Sequence, residues 1–254
     1  MEKKKIAVFI PAYEAVRTLI SAIERIPLQI KKEVKEIYVF DDHSDDNTYY
    51  AGLGYKYKNK IEKLNLHRNK RNLGYGGNQK QGYNYAIKKG YDIVVMLHGD
   101  VQYAPEYIPQ LIQPLMEERA DAVLGSRMLK NPLAGGMPLW KYMGNRFLTI
   151  VENSVLGLRL SEYHTGFRAY SCHALKDVPF QRCSDGYSFD TDILIQFLIK
   201  KKKIAEIPIP THYGPESHKI TFRKSLNYGI NIMKSLMQYK LQKNRIKNVH
   251  KFDI

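Results

Sequence analysis

Short runs of apolar residues alternate along this chain with longer segments of helical periodicity, and this alternation limits the folds that it can adopt. The runs are predicted to be buried strands, because β-branched and aromatic residues follow one another in them without polar alternation. This order favours an α/β domain with a mainly parallel sheet flanked by helices. Strands are predicted at residues 6–10, 36–40, 64–67, 93–97, 122–124 and 204–209, with the very apolar run 93–97 at the centre of the sheet.

Helical periodicity fills the intervals between the strands. Pro27 ends the first helical segment and Gly90 ends the second, while Pro105 suits the first turn of the third. Helices are predicted at residues 15–26, 78–89, 105–119, 139–158 and 189–200.

The last segment, residues 221–246, carries basic residues and an apolar stripe at helical spacing. We therefore predict a domain over residues 1–219 and a basic amphipathic helical tail over residues 220–254. Such a tail either lies in an anionic membrane surface or packs on the domain or on a second subunit of a homo-oligomer. The stripe consists of Leu226, Ile230, Met233, Met237 and Leu241.

The charge balance restricts the partner. The 254 residues include 40 Lys and Arg against 25 Asp and Glu, a formal charge of +15, which indicates nucleic acid, a phosphorylated ligand or acidic lipid. Only Cys172 and Cys183 are present, too few for a disulfide framework, so a reducing, cytoplasmic location is expected. No run reaches the ~18 consecutive apolar residues of a membrane-spanning helix.

Polar residues directly follow three of the predicted strands. Ligands of open α/β sheets bind outside the carboxyl ends of the strands, so these residues are expected to share one site. Asp100 and Gln102 offer hard oxygen ligands for Mg²⁺ or Mn²⁺ held jointly with substrate phosphates. The structural alternative is a helix cap in the acidic stretch 41–48 and a strand-end turn at Asp100. The segments are Pro11-Ala12-Tyr13-Glu14, Asp41-Asp42 and His98-Gly99-Asp100-Val101-Gln102.

The segment Gly74-Tyr75-Gly76-Gly77 follows a strand and opens a helix, as a dinucleotide-binding loop does. The third glycine of that motif would stand at Gln79, and the loop follows the third strand instead of the first, so a dehydrogenase is disfavoured. A non-enzymatic nucleic-acid-binding protein stays as an alternative, suggested by the charge and by the Tyr-rich stretch 49–57. No nucleic-acid recognition motif supports it, so we expect no nucleic-acid partner.

Six short motifs occur in order between about residues 5 and 220. They are Pro11-Ala12-Tyr13-Glu14, Asp41-Asp42-x-Ser44, Asn72-Leu73-Gly74, Asp100-x-Gln102, Gly125-Ser126-Arg127 and Thr165-Gly166-Phe167-Arg168. Together they resemble glycosyltransferase family 2, and within it the dolichol-phosphate mannose synthase-like and polyprenyl-phosphate glycosyltransferases. The order and spacing of the motifs carry this resemblance.

The resemblance implies a GT-A fold, with a Rossmann-like nucleotide-binding sheet, and inverting transfer of a sugar from a UDP- or GDP-sugar. Asp100 and Gln102 would hold Mg²⁺ or Mn²⁺, and Arg127 and Lys141 would face the phosphates and sugar of the donor. The nucleotide would bind to Pro11, Ala12, Tyr13, Glu14, Asp41, Asp42 and Gly74.

Two positions depart from the family's pattern. The family usually has Asp where this chain has His98, so His98 either ligates the metal and shifts its preference or lies behind the ligands, and we favour the second. Glu162 stands where the family often has Asp ahead of its Gly-Phe-Arg motif.

The acceptor decides whether catalysis needs a base. A lipid phosphomonoester, with a second pKa near ~6, is already ionised at neutral pH, whereas a glycan or protein hydroxyl must lose a proton. Asp190 or Asp192, at the start of a helix, is the candidate base for a hydroxyl, unless both only cap that helix. We favour polyprenyl phosphate at the cytoplasmic face of a membrane. Its phosphate is predicted to bind Arg168, Ser217, His218 and Lys219.

Overall fold

The computed structural model describes residues 4–213 and 222–252. Seven strands form one sheet: β1 (Ile6–Ala12), β2 (Glu36–Asp41), β3 (Leu64–Arg68), β4 (Ile93–Met96), β5 (Ala122–Ser126), β6 (Arg168–Ser171) and β7 (Ile204–Pro208). Their order across the sheet is β3-β2-β1-β4-β6-β5-β7. All neighbours are parallel except those of β6, which runs antiparallel to β4 and β5. The mainly parallel sheet is confirmed, and β4 occupies its middle position as predicted.

Helices cover both faces of the sheet. They are α1 (Leu19–Glu24), α2 (Leu28–Glu33), α3 (Thr48–Lys58), α4 (Gly74–Lys88), α5 (Ile108–Met116), α6 (Leu139–Leu156), α7 (Cys172–Asp177), α8 (Phe189–Ile199) and α9 (Phe222–Lys243). Short 3₁₀ turns span Pro105–Tyr107, Phe180–Arg182 and His250–Phe252.

The side chains of β1 alternate between two buried layers. Ala7 and Phe9 join the layer that includes residues of α4, α7, α8 and α9, whereas Val8 and Ile10 join the layer that includes residues of α1, α2 and α5. A strand buried on both faces needs apolar residues at every position, which is why its sequence lacks alternation. The two layers hold the strand ends, and the loops that follow them, in fixed positions.

The first helix is shorter than predicted, because it begins at Leu19 instead of residue 15. The segment before it bonds instead to the end of the loop after β2 and to the first residue of α3. Ala15 N–H donates to Thr48 Oγ1 (2.8 Å), and Val16 N–H donates to Asp46 Oδ2 (3.1 Å). The loops after β1 and β2 are therefore bound to each other.

Helix α9 packs on α6 and α8 through one of its faces. Ile232, Leu236 and Tyr239 on that face are buried in the core, together with Phe252 near the end of the described chain. The predicted boundary between residues 219 and 220 lies outside the described residues. Among the described helices, none combines the length and hydropathy that crossing a bilayer requires.

Candidate active site

A pocket of about 1490 Å³ lies beyond the carboxyl ends of β1, β2 and β4. The structure brings most of the predicted site residues to its wall: Pro11, Ala12, Tyr13, Glu14, Asp42, Gly74, His98, Asp100, Gln102, Arg127, Lys141 and Asp190. Asp41, Arg168 and Asp192 are not part of this lining. Ser217, His218 and Lys219 lie outside the described residues.

Asp42 fixes the loop that leads into α4. Its Oδ1 accepts hydrogen bonds from Asn69 Nδ2 (2.8 Å) and Leu73 N–H (2.9 Å), and its Oδ2 accepts one from Gly74 N–H (2.9 Å). Gly74 has φ +78°, and a Cβ there would lie 2.8 Å from the carbonyl oxygen of Asp185. This position therefore requires glycine for both backbone conformation and space.

Asp41 was predicted to bind the nucleotide, but the structure turns it away from the pocket. The side chain is fully buried and accepts hydrogen bonds from the N–H (3.2 Å) and the hydroxyl of Ser44. Burial raises the pKa of Asp41, and the Ser44 hydrogen bonds oppose that rise. Ser44 Oγ in turn accepts a hydrogen bond from Glu14 N–H (2.9 Å). Asp41 thus acts on the pocket through the loop that positions Glu14.

The turn between Asp100 and Gln102 has an unusual backbone. Val101 has φ +53°, a left-handed conformation that is rare for a β-branched residue. Gln102 N–H donates to Asp100 Oδ1 (3.2 Å), and the Gln102 carbonyl accepts a hydrogen bond from His212 N–H (3.3 Å). Strain of this kind is held in place by surrounding contacts and concentrates at functional sites.

A divalent cation fits this turn only if a bound phosphate ligand, such as that of a nucleotide, shares the ion with the protein. Asp100 and Gln102 supply oxygen donors at the pocket, but no group of three or more His, Cys, Asp or Glu side chains in residues 4–213 and 222–252 is arranged to hold a metal. Mg²⁺ is often bound in this way, by one or two carboxylates together with substrate phosphates.

His98 directs its Nε2 into the protein. That atom is buried without a hydrogen-bond partner among the described residues, and a Cβ at Gly166 would lie 2.4 Å from it. Burial lowers the pKa of His98, against the opposing charge of Asp100, so the imidazole is neutral at neutral pH. This geometry is compatible with the prediction that His98 lies behind Asp100 and Gln102, the predicted metal ligands, and it leaves that prediction untested.

Arg127, which directly follows β5, is held by an almost solvent-free ion pair with Glu162. Their side chains are 4% and 0% exposed, and Arg127 Nε donates to Glu162 Oε1 (2.8 Å). Arg127 Nη1 also donates to the hydroxyl of Tyr213 (2.8 Å). Burial opposes the charge of Arg127, but the Glu162 carboxylate outweighs it and the pKa of Arg127 is raised. Arg127 therefore lines the pocket, but the Glu162 carboxylate neutralises much of its positive charge.

Lys141, in the first turn of α6, is a less neutralised cation of the pocket. Its Nζ lies 4.7 Å from the ring centre of Tyr213, and the described residues provide it with no carboxylate within salt-bridge distance. Burial lowers the pKa of Lys141 to about 8, and the nearby charge of Arg127 contributes. An anionic ligand would stabilise the protonated amine.

Asp190, at the start of α8, lines the pocket and is held on both sides. The hydroxyl of Tyr75 donates to Asp190 Oδ2 (2.8 Å), and Arg168 Nη2 lies 3.5 Å from the same oxygen. Arg168 itself was predicted to bind the acceptor, yet it is 0% exposed and also donates to the carbonyls of Thr165 (2.7 Å) and Tyr163 (2.6 Å). In this structure Arg168 positions Asp190 instead of facing the pocket.

Asp192, the second candidate base, serves the packing of the chain. Its Oδ1 accepts a hydrogen bond from Lys251 Nζ (2.8 Å), and its Oδ2 accepts one from Ser184 N–H (2.9 Å). It is fully buried and outside the pocket lining, so the geometry leaves Asp190 as the candidate of the pair.

A buried polar chain that no sequence motif indicates joins α9 to the pocket. His164 Nδ1 and the Tyr228 hydroxyl share a hydrogen bond of 2.8 Å, and His164 Nε2 lies 3.1 Å from Glu152 Oε2. Both His164 and Tyr228 line the pocket, whereas Glu152 is fully buried on α6. These three residues come from α6, from the segment before β6 and from α9, and they belong to no motif, so only the fold reveals them.

Comparison with known proteins identifies the family of this chain. The sequence profile of Glycosyl transferase family 2 matches residues 7–179. The chain belongs to glycosyltransferase family 2. It is 30% identical over 230 residues to the UDP-N-acetylglucosamine–dolichyl-phosphate N-acetylglucosaminyltransferase of Methanococcus voltae, covering 84% of this chain and 88% of that protein. It is 27% identical to the undecaprenyl-phosphate mannosyltransferase of Micrococcus luteus, covering 81% of this chain and 82% of the relative.

Solved glycosyltransferase structures share the architecture. Glucosyl-3-phosphoglycerate synthase of Mycobacterium tuberculosis in complex with UDP superposes with a TM-score of 0.71 at 19% identity, covering 92% of this chain and 79% of that chain. A further complex of the synthase, which contains Mn²⁺, UDP and glucosyl-3-phosphoglycerate, gives a TM-score of 0.69 at 18% identity, with coverage of 92% and 79%. The predicted GT-A fold of this family 2 glycosyltransferase is therefore confirmed.

Proposed function

We propose that this enzyme transfers a sugar, with inversion, from a nucleoside diphosphate sugar to the phosphate of a polyprenyl phosphate. One observation carries the proposal: a single pocket joins two chemically different walls. The loops after the strands supply Glu14, Asp42 and Asp100, which suit a nucleotide and its metal. Helices α6 and α9 supply apolar side chains, which suit an isoprenoid chain: Trp140, Phe147, Leu226, Ile230 and Met233.

The names of the relatives agree with both halves of this reaction. One relative is named for UDP-N-acetylglucosamine and dolichyl phosphate, and another for undecaprenyl phosphate and mannose. We infer a UDP- or GDP-sugar as donor and a lipid phosphate as acceptor. An acceptor of this kind resides in a membrane, so we further infer that the enzyme works as a peripheral protein on the cytoplasmic face.

The donor's diphosphate collects negative charge as the sugar leaves. A bound Mg²⁺ or Mn²⁺, held by Asp100 and Gln102, would act there as a Lewis acid. Lys141 supplies a cationic amine to the same pocket, and the partly balanced Arg127 adds a fixed charge. The acceptor phosphate is already ionised at neutral pH, so no side chain has to remove a proton from it.

Asp190 supports a second candidate function, transfer to a hydroxyl of a glycan or protein. Its carboxylate lies at the pocket with Tyr75 and Arg168 beside it, where a general base would be needed. The substitution Asp190→Asn distinguishes the two. It abolishes transfer per folded molecule if the acceptor is a hydroxyl, whereas a phosphate acceptor still reacts. Rates are compared per folded molecule because Asp190 is also the partner of the buried Arg168, and its loss lowers stability.

A thermal-shift panel identifies the nucleotide of the donor. UDP, GDP, CDP and dTDP are each added with and without Mn²⁺, because a ligand that binds the native state raises the melting temperature by mass action. We expect UDP or GDP to stabilise the protein, and Mn²⁺ to enlarge that effect in the wild type but not in Asp100→Asn. Equal stabilisation of the two proteins by Mn²⁺ would remove Asp100 from the metal site.

A further inference from the structure

Helix α6 carries apolar side chains on its outer face as well as against the core. Its inner side packs Leu148, Val151 and Val155 on the core and buries Asn145, Thr149, Glu152 and Leu156. Its outer face is apolar: Phe147 is 63% exposed and Ile150 is 62% exposed. A helix whose outer face is apolar leaves hydrophobic area in water unless something covers it.

Helix α9 shows apolar side chains on two opposite faces. Ile232, Leu236 and Tyr239 are buried in the core. The other face is exposed, and its residues 226, 230, 233 and 237 are spaced by four, three and four positions, which keeps them on one side of a helix. Four of the five residues of the apolar stripe predicted from the sequence therefore form the outer stripe, whereas the fifth, Leu241, is half-buried. A different set of residues holds the helix to the domain.

The two outer stripes belong to one surface, which we name the α6–α9 face. It consists of Leu139, Met143, Phe147 and Ile150 of α6 with Leu226, Ile230, Met233 and Met237 of α9. The helices pack against each other, and Phe147, Leu226, Ile230 and Met233 line the active-site pocket as well as being exposed. The face is thus continuous with the mouth of the pocket.

The exposed charges that the structure describes on α6 and α9 have one sign. The sequence of α9 contains Arg and Lys but no Asp or Glu. On α6 the acidic residue Glu152 is fully buried, whereas Arg146 is exposed, as are Lys234 and Lys240 on α9. An apolar stripe with exposed cations beside it is the pattern that binds anionic lipid, at an interface where the apolar side chains enter the acyl region.

We propose that the α6–α9 face docks on an anionic bilayer, so that the active-site pocket opens toward the membrane. The functional meaning of a pocket that opens toward the membrane rests on the proposed lipid acceptor. Docking of the face on a bilayer does not depend on that acceptor. A second copy of the chain fits this face less well, because two such surfaces would bring like charges together around their apolar contact. In a bilayer, the same charges meet acidic headgroups.

Vesicle flotation tests the proposal with the full chain. The probes are vesicles of phosphatidylcholine alone and of phosphatidylcholine mixed with phosphatidylglycerol. The test variant is Met143→Glu with Met237→Glu, since neither residue lines the pocket. The matched control is Leu28→Glu with Tyr57→Glu, which changes the charge equally at exposed apolar residues of α2 and α3.

We expect the wild type and the control to float with the anionic vesicles. The partition coefficient of the test variant onto these vesicles should be lower by a factor of about ten or more. Added salt should weaken binding of the wild type. The UDP or GDP thermal shift should be the same in all three proteins, which shows that a loss of flotation is not a loss of folding.

Three results would overturn the proposal. The wild type fails to float with anionic vesicles, the test variant floats as well as the control, or the wild type forms a dimer that the test variant separates. The last result assigns the face to a second copy. If the vesicles bind as expected but no donor sugar reaches a polyprenyl phosphate, the docking face stands and the proposed acceptor is wrong.

Discussion

Arg127 and Glu162 form a buried ion pair at the wall of the active site, with Arg127 Nε donating to Glu162 Oε1 over 2.8 Å. Asn145 of α6 also donates to that oxygen (2.9 Å). The pair therefore links the strand end that carries Arg127 to the helix that carries Lys141. Glu162, where the family often has Asp, is in this chain the partner that allows an arginine to be buried.

Glu162→Gln is expected to destabilise the protein strongly, because it leaves the buried charge of Arg127 without its partner. Breaking one side of a buried pair costs about 3–5 kcal/mol of the free energy of unfolding. Urea denaturation measures the loss. Glu118→Gln is the control, because the ion pair of Glu118 with Lys4 is at the surface and should leave the stability unchanged. Equal stability of the two variants would contradict a structural role for the pair.

Lys141 is expected to make nucleotide binding depend on pH. Burial, aided by the charge of Arg127, lowers its pKa to about 8, so the amine is cationic below this pH and neutral above it. Because a diphosphate favours the cation, the affinity for UDP or GDP should be highest below pH 8 and fall as the pH rises through 8. Calorimetric titration across this range gives the profile.

Lys141→Arg keeps the charge at every pH of that titration and should give a nearly constant affinity. Lys141→Met should bind weakly throughout, as the wild type does at high pH. If the arginine variant keeps the full pH dependence of the wild type, another group is responsible for it.

Asp192→Asn is expected to affect stability but not chemistry. The carboxylate accepts hydrogen bonds from Lys251 and Ser184 and does not line the pocket. Loss of a hydrogen-bonded buried charge should lower the free energy of unfolding by about 1–3 kcal/mol. The transfer rate per folded molecule should stay at the wild-type level, and a large fall in that rate at full folding would return Asp192 to the reaction.

Gly166→Ala is expected to disturb the site through His98. The new Cβ would lie 2.4 Å from His98 Nε2, so the imidazole or the backbone must move, at about 1–3 kcal/mol of stability. The double variant with His98→Ala should recover part of this loss. Gly54→Ala, in the exposed part of α3 with no atom near the new Cβ, should instead stabilise by about 0.5–1 kcal/mol. Thermal unfolding of the four proteins tests the contact.

The sequence predicts those strands whose composition reflects full burial. β1 and β4 consist almost wholly of apolar residues, and both were located within two residues of their observed ends. β6 (Arg168–Ser171) was missed because it is short, runs antiparallel and includes a buried arginine, which composition assigns to the surface. Helix α3 was missed because its sequence includes Gly52 and Gly54 and has little apolar periodicity.

The site could be predicted to the level of segments but not of side-chain directions. The rule that ligands bind beyond the carboxyl ends of strands brought Asp42, Asp100 and their neighbours to one pocket. It could not show that Asp41 points into its own loop. Successive residues of an extended chain face opposite sides, so Asp41 and Asp42 point in different directions, and the rule does not say which of them faces the pocket. The link from His164 to Tyr228 depends on the packing of α9, which no local pattern describes.

The most direct test of the proposed reaction measures transfer of labelled sugar from a panel of UDP- and GDP-sugars to a polyprenyl phosphate in anionic vesicles with Mn²⁺. It compares the wild type with Asp100→Asn. We predict that at least one donor yields a polyprenyl-phosphate-linked sugar that extracts into organic solvent. The variant should form this product about 10²–10³ times more slowly. The proposed acceptor is wrong if no donor yields a lipid-linked product while a soluble hydroxyl acceptor is glycosylated. The proposed metal site at Asp100 is wrong if both proteins react at the same rate.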